Sequence, residues 1–372
     1  MNVLKLMVFS LLLQRVIVGG EKSWRKVVRQ WSEACKMQKL SREQIRQIQQ
    51  YYKPILGKKI NPAWHEYYYS MTGDFFKGII PDDIYFVYIL PHLNDELRGR
   101  SCVDKNIYDI YLSDVMKPRT ILKNVNGFYY VDGRPISKDE AVALCCDLAS
   151  AIIKPTIDSW CGLNVRKFTV HEGISDVNGL SVAGLLQQYG HNYIIQEVIT
   201  QHPVLASLNP TSVNTIRVVT YRRTNGEVVH LSSVVRVGRL GKIVDNGHAG
   251  GFCCGIRENG WLKEYGYAIV SGERKQVTDN GVVFKDVQIP EFNNIIQLAR
   301  QLHIRFPYLR LIGWDFTVNS NNEIVFIELN DGPAIDIMQP TNGPVFGEYT
   351  DEVLQEIKGN KFRLRLGKEI IK

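Results

Sequence analysis

Hydrophobic and polar positions change period several times along the chain, and each change marks an element. Between residues 21 and 53 apolar positions recur at helical spacing, with Trp24, Val27, Trp31 and Ala34 on one face. Ser41 followed by Gln44 reads as a capping box that opens a second helix. The aromatic cluster at 64–76, led by Trp64, Tyr67 and Tyr68, is expected in the core. Pro81, Pro91 and the polar stretch 94–101 suggest a boundary. From Asp104 the pattern becomes mixed: a helix over 104–114, strands at 118–122 and 127–131, a helix over 137–148, then the apolar run Ala151-Ile152-Ile153 leading to Lys154-Pro155. Strand-rich sequence punctuated by turns covers 165–340, interrupted by a helix around 290–303. A short helix over 351–358 and a basic tail close the chain. No internal repeat or low-complexity segment is present.

The most informative pair of strands is LIGWDFTV (311–318) and EIVFIELN (323–330). Asn321-Asn322 between them is read as a two-residue hairpin loop that tolerates positive φ. Residues summing to 643 then face each other, so Asp315 lies opposite Glu328. Like charges so placed destabilise a hairpin unless something positive lies between them. Asn330 projects from the same face as Glu328. Two carboxylates and an amide oxygen on one face make a hard-oxygen set suited to Mg²⁺, with positions left open for phosphate. The alternative is a solvated polar hairpin edge.

Composition narrows the classes. The chain has 372 residues, 45% hydrophobic and 22% charged, enough for two or three subdomains with real cores. A net charge of +7 fits anionic ligands such as nucleotides or acidic sugars, but no basic run interleaved with aromatics argues for nucleic acid. Seven cysteines with no CxxC make neither a disulfide framework nor a zinc pattern, which points to reduced thiols in a cytosolic protein. The apolar run Leu6–Leu13 is about half a membrane-spanning length. We expect a helix packed on the protein or on a partner, with a membrane-surface anchor as the alternative and a cleaved signal peptide last.

Several other segments carry candidate chemistry. Lys154 ends a buried strand and is followed by a turn-rich loop with Ser159 and Gly162; a lysine there can meet a phosphate while loop amides cover others. In HNYIIQEVITQ, an extended segment around Gln196, Glu197 and Val198 offers backbone groups to a base and an acid to a ribose. Asn214, Thr215 and Arg217 lie on one strand, Arg236 and Arg239 on the next, where arginine suits bidentate capture of carboxylate or phosphate. Cross-strand pairing with the protein's own acids is the alternative. The glycine-rich loop from Asp245 to Gly251 permits close approach to a ligand and contains His248, a candidate base or substrate contact.

Taken in order, the lysine strand, the Gly/Ser loop, the Gln-Glu hinge, the N-x-x-R strand and D-x12-E-x-N resemble the ATP-grasp superfamily. KINPAWHEYYYSMTGDF, DKNIYDIYL, NPTSVNTIRVVT, VDNGHAGG and GWDF with IELN narrow the resemblance to the sugar-transfer-associated ATP-grasp family of bacterial capsule and exopolysaccharide genes, over roughly residues 45–350. The resemblance implies an α+β fold in which two subdomains, 101–200 and 201–372, clamp ATP behind a mainly helical region, 1–100. It implies that Lys154 and Lys105 contact the phosphates, Gln196 to Ile199 line the adenine with Glu197 on the ribose, and Asp315, Glu328 and Asn330 hold Mg²⁺. Arg217 and Arg236 would neutralise the γ-phosphate or an acceptor carboxylate. The loop DSWCGLNV departs from the family pattern, with one glycine and a bulky Trp160. The implied activity is an ATP-dependent, ADP-forming ligase joining a small-molecule or glycan carboxylate to an amine. Alternatives are a sugar kinase on the same fold and a non-catalytic nucleotide- or glycan-binding subunit that contacts the membrane or the polysaccharide machinery through the N-terminus.

Overall fold

Two seven-stranded antiparallel sheets carry the fold, behind a helical N-terminal region. The computed structural model describes residues 3–157, 162–245 and 247–358, with the side chains of 3–16 and of His248 outside that description. The first sheet contains β1 (Thr120–Val125), β2 (Phe128–Val131), β3 (Arg134–Ile136), β4 (Leu148–Pro155), β5 (Arg166–His171), β6 (Ile174–Ser175) and β7 (Tyr193–Glu197), in the order β3-β2-β1-β7-β4-β5-β6. The second contains β8 (Thr215–Arg222), β9 (Val228–Val237), β10 (Phe252–Ile256), β11 (Leu262–Ala268), β12 (Glu273–Lys275), β13 (Leu311–Val318) and β14 (Ile324–Asn330), in the order β12-β11-β10-β9-β8-β13-β14.

Period-two alternation divides the second sheet into two different faces. Ile216, Val218, Val235, Trp314 and Phe316 point into a core shared with the helix Phe292–His303. Val219, Tyr221, Val234 and Cys253 point the other way, under α1 (Val3–Ala34), α2 (Arg42–Leu56) and α3 (Ala63–Thr72). The capping box at Ser41 and Gln44 is present, and Trp64, Tyr67 and Tyr68 are core residues as expected. Asn94 ties the N-terminal region to the start of β13: its Nδ2 donates to Leu311 O at 2.7 Å and its Oδ1 accepts from Leu311 N at 2.9 Å.

The helix expected over 104–114 is instead a 3₁₀ turn, Lys105–Ile107, and one helical turn, Tyr108–Tyr111. The Asp104 side chain accepts from Asn106 N and caps the turn. Asn106 Nδ2 is committed to Thr156 Oγ1 at 3.0 Å. Tertiary bonds of this kind leave no trace in periodicity.

The 311–330 hairpin pairs Asp315 with Glu328, but by a different route from the one expected. The loop is three residues, 320–322, closed by Asn319 N on Glu323 O at 3.0 Å, with Asn322 at φ 64°. This shifts the first pairs by one (Phe316 faces Phe326), and a bulge at Ile327 shifts them back. Because of the bulge, Phe326 and Leu329 both reach the core while Glu328 and Asn330 take the other face. Replacing Asn322 by Val, which resists positive φ, should cost about 1–2 kcal/mol in urea unfolding, whereas Asn322→Gly should stay within about 0.5 kcal/mol of wild type.

Candidate active site

Alternation places Asp315 and Arg217 opposite each other on adjacent strands, on the face away from Trp314 and Phe316. Two guanidiniums converge on the Asp315 carboxylate. Arg217 Nε donates to Oδ1 and its Nη2 to Oδ2 at 2.8 Å, while Arg236 Nη1 donates to Oδ2 at 2.8 Å. Arg236 Nη2 continues to Asp245 Oδ1 at 3.0 Å, and Asp245 Oδ2 accepts from Thr215 N at 2.9 Å and from Thr215 Oγ1. The result is a buried row of alternating sign, Asp245–Arg236–Asp315–Arg217, each member less than a tenth exposed. Burial pushes the Asp245 carboxyl upward against the pull of Arg236. Burial works against the charge on Arg236, yet Asp245 and Asp315 hold its guanidinium above the ordinary value.

Opposite Asp315, Glu328 meets a cation from beside the first sheet: Lys105 Nζ lies 3.1 Å from its Oε2. Lys105 is anchored there by its own N–H on Thr156 O at 3.2 Å, and the neighbouring Asn106 O accepts from Lys123 Nζ at 2.8 Å. Burial would raise the Glu328 carboxyl, but Lys105, Arg217, Arg236 and Lys154 together hold it below the usual carboxylate range. Lys154, at the end of β4, is pulled down to about 8, first by burial and then by Lys105.

The other expected positions surround this row. Gln196 is buried at the end of β7, with its Nε2 donating to Pro118 O at 3.3 Å. Glu197 is half exposed and takes Arg119, through its backbone N–H at 3.1 Å and its Nε at 3.4 Å. Val198 and Ile199 lie between the last pairing of β7 and the bridge Gln201↔Asn319, where the chain passes from the first sheet to the second. Gly162 has φ 71°, and a Cβ there would lie 3.1 Å from Val244 Cγ1, so both conformation and contact demand glycine. Ser159 and the His248 side chain lie outside the described residues. Arg239 turns away to Glu273 and Asp279. Sequence reasoning gave no role to Asp245 or Thr215. The available signal was an acid directly after the apolar pair Ile243-Val244, nine residues beyond Arg236.

Among the described residues no three His, Cys, Asp or Glu side chains form a preformed cation site. The donor chemistry nevertheless suits Mg²⁺: one carboxylate and one amide oxygen, from Glu328 and Asn330 on one strand face, leave most of an octahedral shell to phosphate and water. Asp315 differs from the expectation in that both its oxygens accept from arginine.

Arg217→Met leaves a buried carboxylate with half its compensation and should cost about 3–5 kcal/mol in urea unfolding. The double variant Arg217→Met/Asp315→Leu should lose less than the sum of the singles, as expected for directly coupled groups. Lys154 has a folded value of about 8 against 10.5 for an unperturbed lysine, so its charge opposes folding below about 8 and that penalty fades as pH rises toward 10.5. The stability difference between Lys154→Met and wild type, measured by urea unfolding from neutral pH to pH 10.5, should therefore shrink with rising pH.

Three of the solved structures that the chain matches are as follows. The ATP-grasp ligase PsnB complexed with minimal precursor shares 11% identity, with a TM-score of 0.39 over 70% of this chain and 62% of that one. N5-carboxyaminoimidazole synthetase from Staphylococcus aureus complexed with ADP shares 10%, with a TM-score of 0.36 over 68% and 49%. D-alanine–D-alanine ligase from Bacillus anthracis shares 12%, with a TM-score of 0.38 over 71% and 67%. The chain thus spans less than two thirds of the first two. No curated protein matches the sequence. The sequence profile described as sugar-transfer associated ATP-grasp matches residues 168–355, which include Arg217, Arg236, Asp315, Glu328 and Asn330 and leave out Lys105 and Lys154. With half of its length matched, the chain belongs to the sugar-transfer-associated ATP-grasp family.

Proposed function

We propose that this chain is an ATP-dependent carboxylate–amine ligase that forms an amide on a sugar acid or another glycan precursor for surface polysaccharide. The observation that carries the reading is the convergence of Lys105 and Lys154, from around the first sheet, with Glu328, Asp315, Arg217 and Arg236 on the second. These six side chains carry four positive charges against two negative ones, a surplus of cations placed to face a polyphosphate. Residues 101–200 would supply the phosphate and adenine side, through Lys105, Lys154, Gly162 and the backbone of Gln196 to Ile199. Residues 201–372 would supply the metal and acceptor side.

The chemistry asks for two steps. A carboxylate oxygen attacks the γ-phosphorus, the bond to the β-phosphate oxygen breaks, and ADP leaves. The amine nitrogen then attacks the acyl carbon of the mixed anhydride, phosphate departs with the C–O bond electrons, and the nitrogen gives up a proton. Lys105 and Lys154 hold the phosphate charge, and Arg217 and Arg236 face the transferring group or the carboxylate that receives it. Mg²⁺, held by Glu328 and Asn330 when bound, would draw charge from the β- and γ-oxygens. A covalent protein nucleophile has no place in this scheme. The six described cysteines are all free, which agrees with a cytosolic setting.

Thermal unfolding with and without Mg·ATP tests the nucleotide site. At about a hundred times Kd a ligand that binds only the folded state adds roughly 2.7 kcal/mol, and Glu328→Gln should lose most of that gain. No shift in the wild type at saturating nucleotide would overturn the site. ADP release from uronic acids that requires an added amine supports ligation; release without one turns the reading to a kinase.

A further inference from the structure

The charge of this chain is unevenly distributed. Residues 1–60 carry thirteen basic and three acidic side chains, and residues 358–372 carry six and one, whereas residues 61–357 carry 26 and 34. The chain is therefore an acidic body with basic ends, and the larger basic end contains α1.

On α1 the charges are ordered. Lys22, Lys26 and Arg29 fall at i, i+4 and i+7 and are all exposed. Arg25 shares their stripe but turns to Glu21 Oε2 at 3.2 Å. The opposite stripe is fixed to the body: Trp24 stacks on Phe86 with centroids 4.2 Å apart, and Trp31 meets Trp64 edge-on at 5.8 Å. Glu21, almost buried, also takes Lys58 Nζ and accepts from Tyr88 Oη at 2.5 Å. The basic stripe is thus held in one direction relative to the body. Lys36, Lys39, Arg42 and Arg46, just beyond α1, are exposed as well.

The same helix begins with VLKLMVFSLLLQRVIV, sixteen residues with two charges. As helix this is about 24 Å long, short of the roughly 30 Å hydrocarbon core of a bilayer. Among the described residues, no helix is long and apolar enough to cross a membrane. An apolar helical stretch joined to a basic stripe matches a surface that is greasy within and anionic at its face. A nucleic acid would match the basic stripe but not the apolar stretch.

We propose that α1 docks the protein on an anionic lipid bilayer, with Lys22, Lys26 and Arg29 on the headgroups and the apolar stretch lying along the interface. The acidic body, repelled by the same surface, orients the molecule with its basic end down. Docking does not depend on the proposed reaction, and its test uses no nucleotide. Full-length protein is sedimented with vesicles of phosphatidylcholine alone, and with vesicles that also contain phosphatidylglycerol. Wild type should bind the anionic vesicles in preference to the neutral ones and release them at about 0.5 M salt, where the Debye length is only a few ångström. K22E/K26E/R29E, all on the exposed face and so expected to keep the wild-type melting temperature, should bind at least about tenfold more weakly. Failure of wild type to bind anionic vesicles overturns the proposal, as does equal, salt-insensitive binding to both kinds. If the variant melts early, the salt dependence of wild type decides alone.

Discussion

The Asp315 carboxylate sets the terms for the rest of the second sheet. It is 1% exposed and stands directly across the ladder from Glu328. Unpaired, a carboxylate so buried costs several kcal/mol, and a second carboxylate opposite would add to the penalty. Both problems are solved by placing arginine at two positions of one face, Arg217 on the adjacent strand and Arg236 on the next. Their planar donors fit a carboxylate in a way that lysine cannot. Arg236 in turn needs Asp245, and Asp245 needs Thr215. One buried charge thus dictates residue types on β8, β9 and β13 and in the loop after β9, and pins the start of the glycine-rich segment against the sheet.

Lys105 and Glu328 extend that logic between the two sheets. Lys105 is held beside the first sheet by backbone bonding to the end of β4, and its ammonium is met by a carboxylate from the second. In the proposed nucleotide site, a phosphate chain between the sheets would offer Lys105 a better-matched anion, leave Glu328 free for a cation, and replace the ion pair without stripping a bare charge from water. Lys154, which forms no ion pair among the described residues, carries its burial as a depressed value of about 8.

Much of this was legible in the chain, although not always for the right reason. The Asp315–Glu328 pairing was read from a two-residue loop, whereas the loop has three residues and a bulge at Ile327 restores the count. Two irregularities cancel because Phe326 and Leu329 must both reach the core while Glu328 reaches the site. Apolar burial on one face and the charged row on the other both require the bulge. Helical periodicity located α2 and the helix Phe292–His303 well, since both bury one stripe against a core. It failed over 104–114, where single side chains with tertiary partners, Asp104 and Asn106, hold a turn. The role of Asp245 was missed for a related reason: it lies in an ion pair with Arg236 and hydrogen bonds to Thr215, which no local pattern encodes.

The N-terminal helices follow from the same division of faces. Beyond Arg217 along β8, the charged side gives way to Val219 and Tyr221, which need an apolar cover. Phe346 and Tyr349 meet Tyr221 directly, and Trp24, Trp31 and Trp64 belong to the same core, where aromatic rings at 4–7 Å spacing provide large contact area with few freedoms to lose. Lys105 approaches Glu328 at the other end of this face. The helical region thus covers one end of a face whose other end holds the charged row, and in doing so fixes the direction in which α1 presents its exposed lysines.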